Sequence, residues 1–145
     1  MYKHLLIAVD DSVLAFGALE QGLELAKKLD AKVTIVTVTE PWTSVVTGEA
    51  TIGFPIDEYE RSAEKSAQEI LSRAKERAQQ SGIEPETIHM KDSFPADGIL
   101  AAASENSCDL IVMGSHGRRG LVRLILGSQA NSVVSQSEIP VLICR

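Results

Sequence analysis

Short runs of apolar and β-branched residues alternate with stretches of helical periodicity, and this alternation leaves few folds open. Leu5–Val9 is a continuous apolar run. Lys32–Val38 is rich in β-branched residues, and Glu86–Met90 is shorter and weakly apolar. Leu110–Met113 and Pro140–Cys144 complete the set. Runs of this length suit buried strands and are too short for stable helices. Between them Ala15, Leu19, Leu23 and Ala26 form one apolar stripe with Phe16 beside it, ending near Leu29 and Asp30. Tyr59, Ala63, Ala67, Ile70, Ala74 and Ala78 form a second stripe within Asp57–Gln80, with Leu71 beside it. A third helix starts at Pro95 and turns Ile99, Leu100 and Ala103 inward. A fourth starts at Ser128 and runs through Ala130, Val133 and Val134. The resulting order is βαβαβαβαβ. It predicts an open five-stranded parallel sheet with helices on both faces, in one domain over 1–145.

Punctuation supports these boundaries. Ser12 or Asp11 can cap the first helix. Gly82 sits where a helix C-terminal glycine belongs, and Pro95 suits a first helical turn. From Thr39 to Ile56 no period is sustained, and Pro41, Gly48, Gly53 and Pro55 predict a long loop. The sole tryptophan, Trp42, lies there, with two readings: a cover for a ligand or a contact at an interface.

The chemistry concentrates between Asp109 and Ala130. A buried strand ends at Gly114, glycines follow at 117, 120 and 127, and Ser128 can cap the helix that starts there. Glycines let backbone N–H groups approach an anion closely, and a helix start adds unpaired donors and partial positive charge. Arg118, Arg119 and Arg123 put positive charge beside the turn. The pattern GxxxxGK[ST] is absent, and no Ser/His/Asp or Cys/His set assembles by known spacing.

Charge and composition narrow the function further. A net charge of −6 argues against non-specific nucleic-acid binding. It does not forbid a local anion site, because screening acts over about 8 Å at physiological salt. No apolar run approaches the ~20 residues of a membrane span, and Asp10 and Asp11 cut the first run too short for a signal peptide. Cys108 and Cys144 lack metal-ligand spacing and read as buried thiols in a reducing compartment. The expected location is the cytoplasm.

Gly114, two residues, Gly117, nine residues, then Gly127-Ser128 resembles the nucleotide-binding signature of the universal stress protein family. Ile7–Ser12 resembles its first-strand motif, Cys108–Gly114 its fourth strand and Ile139–Ile143 its last strand. The resemblance runs from end to end and points to the family's ATP-binding branch. It implies a Rossmann-like sheet of the adenine nucleotide alpha hydrolase type, with strand order 3-2-1-4-5. In that order the first and fourth strands are neighbours that the chain leaves in opposite directions, and such switch points bind ligands.

The resemblance also implies roles. Gly114, Gly117, Gly127 and Ser128 would hold ribose and phosphates, with Gln129 and Ala130 offering helix N-terminal amides. Asp10 would accept from the nucleoside, unless it only satisfies amides of its own turn. Val38 would present backbone groups to the adenine edge. Ala8, Val9 and Met113 border the crevice at the strand ends, with Ser12 beside them. His116 is either a locally bonded loop residue or a phosphate donor, and Arg118 either a solvated charge or a phosphate contact. The expected ligand is ATP, or ADP or AMP, with or without magnesium.

The fifth strand is an apolar edge at Val141, Leu142 and Ile143. Such edges invite pairing, and the resemblance implies a homodimer through it. The expected function is a nucleotide-dependent stress regulator with slow or no ATP hydrolysis. The alternatives are an enzyme of the same fold group that cleaves ATP and a dimeric interaction module without nucleotide. Neither nucleic acid nor membrane is expected as a partner.

Overall fold

The computed structural model describes residues 1–117 and 125–145. Arg118, Arg119, Gly120 and Arg123 lie outside the described residues. Five parallel strands form one sheet: β1 (His4–Ala8), β2 (Lys32–Val38), β3 (Glu86–Met90), β4 (Leu110–Gly114) and β5 (Val141–Cys144). Their order is β3-β2-β1-β4-β5, as expected. The helices are α1 (Val13–Leu29), α2 (Ile56–Gln80), α3 (Pro95–Glu105) and α4 (Ser128–Gln136).

Alternation along each strand divides the core. Leu5, Ile7, Val9, Val33, Ile35 and Val112 face α1 and α2, where Leu19, Leu23, Ile70 and Ala74 meet them. Leu6, Ala8, Val36, Ile111 and Met113 face α3 and α4, against Ile99, Ala102, Ala103 and Val133. Leu5, Leu6, Ile7, Ile111 and Val112 are wholly buried, so β1 and β4 read as unbroken apolar runs.

The helix ends follow from their residues. Ser12 is extended, and its side chain accepts from the Ala15 amide at 3.2 Å, capping α1. Pro95 opens α3. After α2, Gly82 takes φ +81, a left-handed turn that a side chain would strain. The segment between β2 and α2 is largely irregular, as expected, but contains two short 3-10 turns at Trp42–Ser44 and Gly48–Thr51.

Three expectations need correction. Ser128 does not cap α4. Gly127 holds the cap position, drawn in because its N–H donates to the Ser115 carbonyl at 2.8 Å, and Ser128 is the first helical residue. Val134 is 45% exposed, because Ala130 and Val133 already fill the face of α4 turned to the sheet. Tyr59 and Ala63 are half-buried rather than core, since the start of α2 extends past the sheet.

Cys108 and Cys144 are buried free thiols. Burial, with Asp109 and Glu86 nearby, pushes the Cys108 thiol up to about 11, and burial also raises Cys144. Both thiols should therefore resist a thiol reagent at pH 8 until the fold opens. Leu19, wholly buried beneath the sheet, should cost about 2–5 kcal/mol as Leu19→Ala, read from urea denaturation midpoints at unchanged slope.

Candidate functional site

A cleft of about 690 Å³ opens beyond the carboxyl ends of β1, β2 and β4. Its size falls within the usual range for small-molecule sites. It sits at the switch point: after β1 the chain turns to α1 on one face, and after β4 it proceeds to α4 on the other. Ala8, Val9, Asp10, Val38, Met113, Gly114, His116, Gly117, Gly127, Ser128, Gln129 and Ala130 all line it. Ser12 stands apart, occupied as the cap of α1. Arg118 lies outside the described residues.

Asp10 follows the end of β1. Its Oδ1 accepts the Ser12 amide at 2.8 Å, so the local turn role holds. Its Oδ2 lies beside Gly117: a Cβ built there would stand 2.8 Å from that oxygen. The absent side chain at 117 makes room for the carboxylate. Asp11, next in sequence, is exposed and does not line the cleft.

The other two glycines permit other close approaches. A Cβ at Gly114 would lie 3.2 Å from both the carbonyl carbon and oxygen of Leu14, so the end of β4 rests against the first turn of α1. A Cβ at Gly127 would lie 2.8 Å from the Ser115 carbonyl oxygen and 3.2 Å from the His116 Cα. These contacts are with backbone, which yields little. His116 is half-buried, with Nδ1 3.2 Å from the Ser115 hydroxyl, so the local-bond reading has a partner.

The first residues of α4, Ser128, Gln129 and Ala130, form part of the cleft wall. The first N–H groups of a helix have no partner within it and carry partial positive charge. Gln129 contributes differently through its side chain. Its Oε1 accepts the Ala96 amide at 3.1 Å, at the start of α3. Phe94, the residue capping α3, makes no side-chain cap bond, so α4 supplies one.

The Val38 side chain packs on α3. A Cβ at Gly98 would meet its two methyls at 2.8 and 2.9 Å. Thr39, Glu40, Tyr59, Ser62 and Ser66 also line the cleft, and sequence reasoning missed them. The signal was a mismatch in length. A helix of 25 residues spans about 37 Å, whereas a seven-residue strand spans about 23 Å. The overhanging turns of α2 must therefore face something other than β2. Tyr59 anchors this wall by donating its hydroxyl to the Glu40 carbonyl at 2.8 Å. The Trp42 ring stacks on Phe54 with the centroids 5.5 Å apart, and Phe54 in turn meets Tyr59.

Among the described residues no three His, Cys, Asp or Glu side chains converge on a metal position. Nor is any helix among them long and apolar enough to cross a membrane.

Comparison with known proteins agrees with this architecture. The model of the universal stress protein family matches residues 1–145. The chain is 36% identical to universal stress protein YxiE of Bacillus subtilis, with both chains covered in full. It is 31% identical to universal stress protein MJ0531 of Methanocaldococcus jannaschii, covering all of this chain and 83% of that protein. Among solved structures, it resembles a universal stress protein from Archaeoglobus fulgidus in complex with dAMP. The identity is 25% and the TM-score 0.70, over 99% of this chain and 98% of that one. A universal stress protein in complex with cAMP matches at 25% identity and TM-score 0.73, over 99% of this chain and 97% of that one.

The glycine contacts yield a paired expectation. Gly127→Ala forces a methyl onto the Ser115 carbonyl and should destabilise by about 1–3 kcal/mol. Gly17→Ala, mid-helix in α1 with nothing within 4 Å, should stabilise by about 0.5–1 kcal/mol. Thermal melts of the two variants beside the wild type check both signs.

Proposed function

The chain belongs to the universal stress protein family, and we propose that within it this protein is an ATP-binding regulator with slow or no hydrolysis. The observation carrying this reading is the cleft at the switch point. There Asp10, Gly117, Gly127 and the start of α4 share one cavity large enough for a nucleotide. The two relatives bound to adenine nucleotides support adenine as the base. Phosphates would lie along Gly114, Gly117 and Gly127 toward the amides of Ser128, Gln129 and Ala130, where backbone donors suit an anion. His116 and Arg118 would add donors at that end. Asp10 would accept from the nucleoside, with adenine lying toward Val38. ADP and AMP fit the same positions with fewer phosphate contacts. Magnesium would enter on the phosphates of the nucleotide.

Slow turnover follows from what the sequence provides. There is no phosphate-loop lysine pattern, and phosphoryl transfer depends on positioned charge around the transferred group. Occupancy rather than product would be the signal. The protein would act as a single domain in the cytoplasm, where Cys108 and Cys144 stay reduced. It would form a homodimer through β5, an edge strand with Leu142 39% exposed.

Calorimetry tests the ligand. ATP should bind with micromolar affinity, about −8 kcal/mol. Asp10→Ala should weaken it about ten- to a hundredfold, as expected for losing a hydrogen bond to a charged acceptor, and Asp11→Ala much less. Equal losses would contradict the placement of Asp10. Turnover with excess ATP and magnesium should stay far below ~10 per second.

Sedimentation tests the assembly. The wild type should run as a dimer at micromolar concentration, and Leu142→Lys should run as a monomer.

A further inference from the structure

His89 lies on β3 with its ring between α2 and the end of β2. Its Nε2 is 2.7 Å from the Thr39 hydroxyl oxygen. Its Nδ1 is buried without a hydrogen-bond partner and faces the Glu64 carboxylate, with Oε2 at 3.7 Å. The charged groups facing the ring are Glu64 of α2 and Lys91 just past β3, and these two pair with each other. From the β2 side the ring meets the uncharged Thr39, with Glu40 next in the chain. Gln68 donates to Glu64 from the following turn of α2. The Lys91 ammonium holds the Glu64 carboxyl below its usual range, so Glu64 is a carboxylate throughout the neutral range.

This arrangement selects one neutral tautomer. With the proton on Nε2, the Nδ1 lone pair would point at a carboxylate in a buried position. With the proton on Nδ1, its positive end points at Glu64, and Nε2 accepts the Thr39 hydroxyl proton. Charging the ring reverses the second contact. Nε2 then donates, and the single proton of Thr39 must turn elsewhere. Thr39 also lines the cleft.

We infer that His89 is a positioning residue that sets the hydrogen-bond polarity of Thr39 toward the ligand. Neutral His89 makes Thr39 an acceptor in the cleft, and charged His89 makes it a donor. The neutral state then favours a base presenting an amino group, and the charged state a base presenting a carbonyl. The inference rests on the nucleotide reading above. Burial lowers the pH at which His89 charges, while Glu64 opposes that shift. The exchange therefore falls on the acid side of neutrality. By linkage, an amino-bearing base binds less tightly as pH falls through the titration, and a carbonyl-bearing base binds more tightly.

The test compares AMP with inosine monophosphate, which carries a carbonyl where AMP has its amino group. Affinities are measured from pH 7.5 to 5.0 in wild type and His89→Gln, and the ratio between the two proteins removes titration of the phosphate. On acidification the ratio should move at least about fivefold against AMP and in the opposite direction for inosine monophosphate. Thr39→Val should make the AMP and inosine monophosphate profiles parallel, leaving only the shared phosphate titration and giving a second route if His89→Gln misfolds. Imidazole nitrogen NMR of the ligand-free wild type should show the neutral ring protonated at Nδ1. Parallel slopes for the two nucleotides in the wild type, a difference between them surviving Thr39→Val, or a neutral ring protonated at Nε2 would overturn the inference. Failure of both nucleotides to bind would instead reject the nucleotide reading, and the inference with it.

Discussion

The pairing of β1 with β4 is the contact on which the candidate site depends. Leu5, Leu6 and Ile7 stand opposite Leu110, Ile111 and Val112 in parallel register. Both strands are buried on both faces, so their backbone bonds form without competition from water. Because the two strands then lead to opposite faces, no helix among the described residues crosses the gap beyond their ends. That gap is the cleft. Gly114 closes its floor by letting the carbonyl of Leu14 come within contact of β4. A strand slip of one residue would move every side chain to the opposite face of the sheet, so the register that sets Ile7 and Val112 against α1 and α2 also fixes where Asp10 stands.

The three glycines of the spaced pattern do separate physical work. Gly114 admits a helix backbone, Gly117 admits the Asp10 carboxylate, and Gly127 admits the Ser115 carbonyl. None requires positive φ, so close approach rather than backbone freedom explains their smallness. A pattern that resembles a phosphate cradle is therefore also a packing requirement of the fold. The two demands are compatible, since all three glycines also line the cleft.

Much of this was legible in the chain. The wholly apolar stretches at Leu5 and Leu110 marked doubly covered strands, because burial on both faces leaves no polar alternation. Ser12, Gly82 and Pro95 marked helix ends through local backbone chemistry. The strand order came from resemblance, as alternation alone leaves several right-handed arrangements open. The cap at Gly127 was not legible, because it depends on a carbonyl twelve residues earlier in the chain. The α2 wall was missed for a related reason. Tyr59 and Ala63 share a helical stripe with Ala67 and Ile70, and periodicity cannot say where the underlying sheet stops. Thr39 and His89 are 50 residues apart, and neither belongs to a recognisable motif.

The bond from Gln129 to the Ala96 amide has a consequence for how the molecule comes apart. Helix α3 lacks a cap of its own and takes one from α4. Undocking α4 therefore uncaps α3 in the same event, exposing an amide that had been satisfied. The loss of this one bond, about 1 kcal/mol, couples the opening of the two helices on that face of the sheet. Amide exchange in the first turn of α3 consequently reports on the integrity of α4, a segment that begins more than thirty residues later.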